Sequence, residues 1–523
     1  MLAYRMRLAF VLCGIAAVAF GPLPANAGAN DQPASASAVA ISSARIDAAV
    51  AALPAIARAI ERRSGVPGMA IAVVHNGKIV YAAGFGVRRV GTKERVDANT
   101  VFQLASVSKS LASTVVAGVV GQGGVKWSDP VAKYLPGFTL SDPYVGSHVT
   151  IADMFAHRSG LPDHAGDLLE DLGYDRAQII RRLALEPLDP FRITYHYTNF
   201  GLTAAAQAVA DAEHTTWEAL SARVLYGPLG MTHTSSRWAD YERAPDRAVL
   251  HVRVNGRWRV SSREPDAQSP AGGASSSVHD LAKWMILELN LGKFDGKQIV
   301  GRDALLATQQ PQIVSNPPSG PFARASFYGY GMGVSYDEAG RLRLSHSGAF
   351  SAGAATCYEM LPSEDLGIVI LTNGEPSGVP ESIAKTFYDR VEFGRATRDW
   401  YALYSGGFAK MLAPHGELVG KTTPAHPQPA LAPASYVGTY TNQYYGPATV
   451  SATATGLRLT LGPKHETYAL RHWNGNVFSM HPSGEGSDGG PSAVTFTPTA
   501  GNGTTSMTIE YLNENGLGTF GKQ

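Results

Sequence analysis

A serine and a lysine three residues apart, Ser106 and Lys109, form the pattern with the clearest chemical meaning in this chain. Residues three apart lie on one face of a helix, so the serine hydroxyl and the lysine amine can meet. A serine hydroxyl becomes an effective nucleophile when a neighbouring base removes its proton. A lysine can be that base when burial keeps its amine neutral. The spacing therefore predicts a serine hydrolase whose nucleophile stands at the start of a helix.

Two short motifs further along the chain add groups that acyl transfer needs. The motif Tyr197-Thr198-Asn199 offers a phenol that can relay the serine proton and an amide that can pair with a substrate amide. The motif His346-Ser347-Gly348 follows alternating residues and ends in glycine. That pattern predicts a strand edge to which a substrate backbone comes close.

The same residue pairs also occur where we expect no chemistry. Ser382 and Lys385 repeat the serine–lysine spacing, and we interpret them as an exposed helix face. Tyr440-Thr441-Asn442 repeats the tyrosine–asparagine spacing, but no third motif follows it. Only the set that begins at Ser106 is complete and ordered.

That ordered set resembles the serine beta-lactamase-like hydrolases, in the branch of class C beta-lactamases, D-Ala-D-Ala carboxypeptidases, D-aminopeptidases and related esterases. The resemblance covers roughly residues 45–400. It implies an α+β fold in which an antiparallel sheet flanked by helices is joined to a helical lobe. Four further segments match the family: Val66–Val74, His157–Pro162, Pro228–Met231 and Pro270–Ala274.

The resemblance also implies a role for each residue of the site. Ser106 is expected to attack a carbonyl and form an acyl-enzyme, while Lys109 and Tyr197 share the work of general base and later acid. The backbone N–H groups of Ser106 and Ala349 are expected to bind the oxyanion. No metal and no organic cofactor is expected. The residues expected to bind the substrate or its oxyanion are Asn199, His346, Gly348 and Ala349.

The substrate expected first is a small peptide or amide, because the Asn199 amide can pair with a peptide-like group. D-residues or other non-standard residues, as in linearised cyclic peptides, fit this class. Many beta-lactamases carry a lysine where this chain has His346, and a histidine is charged only part of the time near neutral pH. The histidine therefore argues against efficient beta-lactam hydrolysis and is closer to the D-peptidase and esterase branches. A carboxylesterase or a beta-lactamase is the alternative function, and a penicillin-binding sensor that acylates without turnover is another.

Composition, charge and residue distribution argue against nucleic-acid binding and against a metal site. The chain has 44% hydrophobic and 17% charged residues and a formal net charge of +1, without a basic run, which argues against nucleic-acid binding. The 15 histidines are scattered, and we expect His157 and His164 to shape the loop around Asp163 rather than to bind a metal. Of the two cysteines, Cys357 lies in an apolar segment and is expected in the core.

The N-terminus predicts export. Arg5 and Arg7 precede an apolar run from Leu8 to Phe20, which is shorter than the roughly 20 residues of a membrane span. An Ala-x-Ala cleavage site ends at Ala27, so residues 1–27 are predicted to be a signal peptide and 28–44 a mobile segment. We expect a periplasmic or secreted bacterial protein without a stable membrane anchor.

The predicted elements of residues 45–412 form one sheet that is built from both ends of the domain. Asn76-Gly77 between two apolar segments predicts a tight hairpin. Residues 125–320 are interpreted as mostly helices and loops, and a last helix is expected over 380–391. The later strands are predicted over 330–336, 341–346, 354–360 and 367–371.

A second domain is predicted after a proline-rich linker over residues 413–434. Seven short alternating segments from Tyr436 to Tyr511 indicate a small β-barrel over residues 435–523. It resembles the lipocalin-like domain attached to some members of the family. Its expected role is packing or oligomerisation, which would make the chain a homo-oligomer through this domain. A ligand-gathering or cleft-covering role is the alternative.

Overall fold

The computed structural model describes residues 39–320, 323–337 and 339–523. The predicted signal peptide and most of the predicted mobile segment lie outside these residues. The first helix begins at Ser43, just before the predicted start of the hydrolase domain. Among the described residues, no helix is long and apolar enough to cross a membrane.

The hydrolase part is built on an eight-stranded antiparallel sheet with the strand order β2-β1-β14-β13-β12-β11-β10-β9. Strands β1 and β14 come from opposite ends of the domain and pair side by side, as the sequence predicts. The strands of this part are β1 (Gly68–His75), β2 (Lys78–Gly86), β3 (Phe102–Gln103), β4 (Leu250–Val254), β5 (Arg257–Ser261), β6 (Ser275–Ser276), β7 (Lys293–Phe294), β8 (Lys297–Gln298), β9 (Ile313–Asn316), β10 (Ser326–Tyr328), β11 (Gly333–Tyr336), β12 (Leu342–Phe350), β13 (Ala354–Leu361) and β14 (Leu366–Thr372).

The first hairpin shows why these residues form strands. Asn76 and Gly77 have φ values of 51° and 65°, the left-handed conformation that a two-residue hairpin turn requires. In β1, Met69, Ile71 and Val73 face one layer, while the alanines between them face the other. Because the strand is covered on both faces, it is apolar throughout instead of alternating with polar residues.

Helices cover both faces of the sheet. One face packs on the first helix and on the helix Val379–Phe393, and the opposite face packs on the helix Val278–Leu289. The helices of the chain are α1 (Ser43–Ser64), α2 (Ser108–Gly121), α3 (Pro143–His148), α4 (Ile151–Phe155), α5 (Asp167–Asp171), α6 (Arg176–Arg182), α7 (Asn199–Ala212), α8 (Trp217–Ser221), α9 (Trp238–Arg243), α10 (Ser269–Gly272), α11 (Val278–Leu289), α12 (Arg302–Leu306), α13 (Val379–Phe393), α14 (Trp400–Met411) and α15 (Pro433–Tyr436).

The region 125–320 is more mixed than predicted. Helices α3 to α10 and α12 form the helical lobe, and α11 packs on the sheet. The hairpin β4–β5 and the edge strand β9 of the main sheet also lie in this region. These strands are short and partly exposed, with polar residues among the apolar ones. The β4–β5 hairpin does carry a local signal, because apolar and polar residues alternate in both strands around Asn255-Gly256, and the sequence analysis missed it. The four residues of β9 are too few to show a clear pattern.

The C-terminal part is a closed barrel of eight strands that pair in chain order. The sequence predicted seven of them and missed β22, whose short polar segment carries little β signal but closes the barrel against β15 and β21. The rings of Tyr436, Phe478 and Phe496 meet inside it at centroid distances of 4.8 to 5.6 Å. The strands are β15 (Gly438–Asn442), β16 (Gly446–Thr453), β17 (Gly456–Leu461), β18 (Glu466–Asn474), β19 (Val477–Met480), β20 (Ser492–Pro498), β21 (Thr504–Ile509) and β22 (Thr519–Lys522).

Candidate active site

Ser106 lies in a tight 3₁₀ turn, Ala105–Val107, that leads directly into α2. Ala105 has a φ of 47°, a left-handed conformation that is costly for a residue with a side chain. The residue is fully buried against Leu250, Phe350 and Ala354, and this packing holds the strained turn in place. The sequence prediction of a serine at a helix start, with the helix ending at Gly121, is confirmed.

The Lys109 amine is in contact with the Ser106 hydroxyl. Its Nζ lies 3.0 Å from Ser106 Oγ, 2.6 Å from Asn199 Oδ1 and 3.0 Å from the carbonyl oxygen of Ala271. The side chain is fully buried, and burial lowers the pKa of Lys109 to about 7, although the Asp167 carboxylate opposes this shift. A base with a pKa near the working pH is the most effective proton acceptor.

This pKa predicts the acid limb of the pH profile. Below about pH 7 Lys109 is protonated and cannot take the serine proton, so kcat/KM for a neutral substrate should fall about tenfold per pH unit. Because the Asp167 charge raises the pKa of Lys109, Asp167→Asn should move the limb to lower pH. The control Asp303→Asn changes an exposed carboxylate on α12 and should leave the limb in place. A limb that stays or moves to higher pH in Asp167→Asn would contradict this assignment.

Tyr197 lies beside the lysine, as the motif predicted. Lys109 Nζ is 4.5 Å from the centre of the Tyr197 ring. Burial raises the pKa of Tyr197 well above its usual value, and a hydrogen bond with Ser106 partly opposes that shift. The phenol therefore stays protonated and can donate as well as relay a proton.

The loop before Tyr197 fixes its backbone. The Tyr197 N–H donates to Asp163 Oδ1 at 2.5 Å, and the His164 N–H donates to the Tyr197 carbonyl at 2.8 Å. The Thr198 N–H donates to Nδ1 of the buried His157 at 3.2 Å. These contacts confirm the sequence interpretation that His157 and His164 shape this loop.

Asn199 connects the lysine to a carboxylate that the sequence analysis missed. Its Nδ2 donates to Asp167 Oδ2 at 2.7 Å, while its Oδ1 accepts from Lys109. His164 Nδ1 lies 2.9 Å from the same Asp167 oxygen, and this contact raises the pKa of His164. Asp167 carried no motif, since Asn199 and Lys109 lie far from it in sequence and only the fold brings them together. It fixes the orientation of the Asn199 amide.

Strand β12 presents an unpaired edge to the nucleophile. Its residues up to Ser345 pair with β11, while those from His346 to Phe350 pair only with β13. A Cβ on Gly348 would come within 2.3 Å of the Leu104 carbonyl and 2.9 Å of the Ser106 nitrogen. The glycine is therefore needed for β12 to lie against the nucleophile turn. This geometry agrees with the predicted strand edge and places Ala349 next to the turn.

His346 differs from the sequence expectation of partial charge near neutral pH. Its Nε2 lies 2.8 Å from the Tyr328 hydroxyl and its Nδ1 lies 2.6 Å from the Ser347 carbonyl. Loss of hydration, together with the nearby Lys109 charge, lowers the pKa of His346 to about 3. The imidazole is neutral at neutral pH, and both of its nitrogens are engaged. Tyr328, which the sequence analysis did not assign to the site, holds it.

The second serine–lysine pair also differs from its interpretation as an exposed helix face. Ser382 is fully buried on α13, and its hydroxyl donates to the Gly378 carbonyl. Lys385 forms an ion pair with Glu359 at 2.9 Å. The pair supports the packing of α13 on β13 and β14. The Tyr440 hydroxyl donates to the Tyr436 carbonyl inside the barrel, so the second tyrosine motif is structural as well.

The barrel forms part of the wall around the nucleophile. Ser106, Tyr197, Asn199 and Ala349 open onto a cavity of about 590 Å³ that is also lined by residues of the barrel, such as Tyr444. A larger cavity of about 810 Å³, lined mostly by residues of the helical lobe, is not lined by Ser106, Tyr197, Asn199 or Ala349. The sequence analysis assigned no barrel residue to the site, because nothing in the sequence of a distant domain shows where it packs.

Direct contacts hold the barrel against the hydrolase part. Asp171 accepts hydrogen bonds from the N–H groups of Glu485 and Gly486, at 3.0 and 2.8 Å. Glu485 in turn accepts from the Ser351 N–H at the end of β12. Hydrogen bonds to charged groups contribute roughly 1.5–3 kcal/mol each, so the loop between β19 and β20 is firmly attached beside β12.

The comparisons with known proteins agree with this geometry. A family described as Beta-lactamase matches residues 46–392, and a family described as Domain of unknown function (DUF3471) matches residues 422–517. The unguisins hydrolase ungD of Aspergillus violaceofuscus is 26% identical over 420 residues, which cover 73% of this chain and 73% of that protein. The D-alanyl-D-alanine-carboxypeptidase/endopeptidase AmpH of Escherichia coli is 23% identical over 320 residues, or 60% of this chain and 81% of that protein.

A solved structure shows the same fold. The octameric penicillin-binding protein homologue from Pyrococcus abyssi has a TM-score of 0.59 and 19% identity, and the match covers 88% of this chain and 98% of that chain. The family match itself spans well over half of the chain, including both motifs that meet at Ser106 and the strand edge beside them. The chain therefore belongs to the beta-lactamase family and is a serine hydrolase.

Proposed function

We propose that this chain is an exported serine peptidase or amidase that hydrolyses small peptides through an acyl-enzyme. Peptides with D-residues or other non-standard residues, such as linearised cyclic peptides, are the substrate class we favour. The observation that carries the proposal is the 3.0 Å contact between Ser106 Oγ and a buried Lys109 whose pKa is about 7. A neutral amine at that distance can take the serine proton at neutral pH.

In the first half-reaction, Ser106 Oγ attacks the substrate carbonyl carbon while its proton passes to Lys109. The carbonyl oxygen gains the negative charge and is bound by the N–H groups of Ser106 and Ala349, a type of contact that typically lowers a barrier by about 2.7–4 kcal/mol. The tetrahedral intermediate then expels the amine, which receives the proton from Lys109 by way of the Tyr197 phenol. The acyl group stays on Ser106.

In the second half-reaction, a water molecule attacks the acyl-enzyme carbonyl. Lys109, with Tyr197, takes the proton of the water and returns it to Ser106 Oγ when the ester bond breaks. The products are the free acid and the restored serine. Asn199 holds the substrate amide, and its own amide is oriented by Lys109 and Asp167.

The relatives support a peptide substrate. One is named a hydrolase of unguisins and another a D-alanyl-D-alanine-carboxypeptidase/endopeptidase. The neutral His346 beside the strand edge also favours an uncharged amide over an anionic beta-lactam at that position. Esterase action needs the same groups, because an ester carbonyl is attacked in the same way, and remains the second candidate.

The experiment that tests this function combines active-site labelling with a substrate panel. A fluorescent fluorophosphonate and a fluorescent penicillin should label the protein, and esters, D-amino-acid amides and short peptides should then be compared by kcat/KM. Amides and peptides turned over faster than beta-lactams would support the proposal. Labelling by penicillin in a stoichiometric burst, without turnover of any substrate, would identify a sensor instead.

A charge placed at residue 346 should change substrate choice. His346→Lys adds an amine that is a cation when protonated, and charge-assisted hydrogen bonds are roughly twice as strong as neutral ones, so penicillins and peptides with a nearby carboxylate should gain relative to neutral amides. Because the loss of hydration and the Lys109 charge that lower the pKa of His346 to about 3 also lower the pKa of a lysine placed there, we expect the gain to be largest at about pH 6 and to shrink toward about pH 9. The measurement is the ratio of kcat/KM for an anionic and a neutral substrate. An unchanged ratio would show that residue 346 does not face the anionic group.

Export and domain organisation complete the proposal. We propose that residues 1–27 direct the chain to the periplasm or the exterior and are removed there. We also propose that residues 413–434 link the hydrolase domain, residues 45–412, to the barrel domain, residues 435–523. A small peptide or ester is the expected partner, and self-association through the barrel is a further proposal that analytical ultracentrifugation can test.

A further inference from the structure

The turn between β12 and β13 lies directly beside the nucleophile. It follows Ala349 and closes with a hydrogen bond from the Gly353 N–H to the Phe350 carbonyl at 2.9 Å. The Phe350 ring is only 4% exposed and packs in one small buried cluster with Ala105, the residue of positive φ before Ser106. The two N–H groups expected to bind the oxyanion, those of Ser106 and Ala349, therefore each belong to a neighbour of one of these packed residues.

A carboxylate of the barrel binds the N–H groups of this turn. Glu485, in the loop between β19 and β20, accepts from the Ser351 N–H at 2.5 Å and from the Ala352 N–H at 3.4 Å. The Ser351 hydroxyl donates in turn to the backbone carbonyl of Glu485 at 3.0 Å. The hydrolase part holds the other side of the turn, because the Ser261 hydroxyl donates to the Ala352 carbonyl. The barrel thus supplies acceptors for two N–H groups of a turn in the hydrolase part.

Glu485 is itself held in place by the hydrolase part. Its own N–H and that of Gly486 donate to Asp171 at 3.0 and 2.8 Å. Arg263 pairs with Asp171 at 3.2 Å and lies 3.9 Å from the Glu485 carboxylate. The same guanidinium lies 5.3 Å from the centre of the Phe350 ring. Because backbone and side chain of Glu485 are bound at once, its carboxylate forms a fixed support for the turn.

The other end of the strand edge is fixed without the barrel. The Thr356 hydroxyl donates to the Leu104 carbonyl at 2.7 Å, and a Cβ on Gly348 would come within 2.9 Å of the Ser106 nitrogen. Ala349 lies between this fixed point and the turn that Glu485 holds. Oxyanion donors are effective only at about 2.7–3.1 Å from the position that the oxyanion will occupy. A small movement of the turn would therefore misplace one of the two donors.

We propose that Glu485 of the barrel is a positioning residue for the oxyanion-binding site. By holding the turn after β12, it keeps the Ala349 N–H at the distance from the Ser106 N–H that a tetrahedral intermediate requires. The barrel then contributes to catalysis through a strand of the hydrolase part, without touching the reacting atoms. This inference rests on the proposed acyl-enzyme mechanism and holds for an amide or an ester substrate.

The test separates binding of the tetrahedral state from binding of the substrate. Glu485→Ala removes both side-chain acceptors, and a misplaced donor weakens the transition state more than the ground state. For a neutral amide or ester of the substrate panel, we expect kcat to fall about tenfold or more while KM changes less than about threefold. Phenylboronic acid forms a tetrahedral adduct with an active-site serine, so its Ki should rise by a factor similar to the loss in kcat. The rate constant of fluorophosphonate labelling should fall in parallel.

Glu485→Gln distinguishes the loss of a hydrogen bond from the loss of a charge. The glutamine side chain is as uncharged as alanine, but its amide oxygen can still accept from the Ser351 N–H. The variant should therefore recover a large part of kcat and of the affinity for phenylboronic acid. The measurements are made at about pH 8, where Lys109 is neutral and Glu485 is ionised, since burial raises the pKa of Glu485 to about 7.

Ser487→Ala is the matched control within the same loop. The Ser487 hydroxyl donates to the Pro482 carbonyl at 2.9 Å and accepts from the Gly489 N–H at 3.2 Å. The variant therefore removes contacts inside the loop and leaves the Glu485 carboxylate unchanged. It should keep kcat, Ki and the labelling rate. Equal losses in Ser487→Ala and Glu485→Ala, or wild-type values in Glu485→Ala, would overturn the positioning role.

Other outcomes separate this inference from the proposed function. A rise in KM in Glu485→Ala, with kcat and the Ki of phenylboronic acid unchanged, would place Glu485 in substrate binding and overturn the positioning role. A loss that Glu485→Gln does not restore, together with a lower midpoint of thermal unfolding in both variants, would reduce Glu485 to a structural residue. Wild-type protein that neither turns over the panel nor reacts with a fluorophosphonate would overturn the proposed function itself.

Discussion

Replacing Ser106 by alanine is expected to abolish covalent labelling by a fluorophosphonate and to lower kcat by roughly 10⁶-fold, as the loss of a nucleophile does in other serine hydrolases. The reason is that no other hydroxyl lies at hydrogen-bond distance from Lys109 Nζ among the described residues. The measurement is adduct mass on the intact protein, followed by peptide mapping of the labelled residue.

Ser382→Ala is the matched control for that variant. Ser382 also has a lysine three residues later, but its hydroxyl is buried on α13 and its lysine pairs with Glu359. The variant should therefore label normally and lose at most some stability. An adduct found on Ser382, or full labelling of Ser106→Ala, would contradict the assignment of the nucleophile.

The second large effect is expected at Lys109. Loss of a general base typically costs 10²–10⁴-fold, and Lys109→Ala removes the only amine in contact with Ser106 Oγ that the described residues contain. Tyr197→Phe should also lower kcat/KM, because the proton can no longer pass through the phenol. If the two groups act as one proton relay, the double variant will lose little more than the worse single variant.

Two control variants accompany the comparison of the single and double variants. Tyr195→Phe changes a tyrosine that packs on His157 and Tyr328 without contacting Lys109, and it should retain activity. Lys385→Ala removes the lysine of the Ser382–Lys385 pair and should likewise retain activity. Losses in Lys109→Ala and Tyr197→Phe that multiply in the double variant would show that the two groups act independently. Thermal unfolding of each variant separates loss of chemistry from loss of fold.

The barrel forms part of the wall of the cavity beside Ser106. The sequence assigned this domain to packing or oligomerisation, with cleft covering as the alternative. In the structure, the loop between β19 and β20 attaches to Asp171 and to the end of β12, beside the nucleophile. The aromatic rings that meet inside the barrel occupy its interior, so its outer loops carry the contact with the cleft.

Local patterns predicted the elements that position the site. The spacing of Ser106 and Lys109, the hairpin at Asn76-Gly77 and the apolar segments of β1, β13 and β14 each depend on residues near one another in sequence. Helix and strand periodicities are local properties, so a single sequence is enough to predict them. The edge strand β9 and the last barrel strand β22 were missed because both are short and carry weak alternation.

The sequence by itself determined the order of the three motifs and predicted Ser106 as the nucleophile and Lys109 as the base beside it. Tertiary structure alone decided that Lys109 loses its charge near pH 7, that Asp167 and Ala271 hold the reacting groups and that His346 is neutral. It also decided that the barrel carries acids into the cleft. The physical reason is that a pKa and a cavity wall depend on burial and on charges brought from distant segments, which no local pattern records.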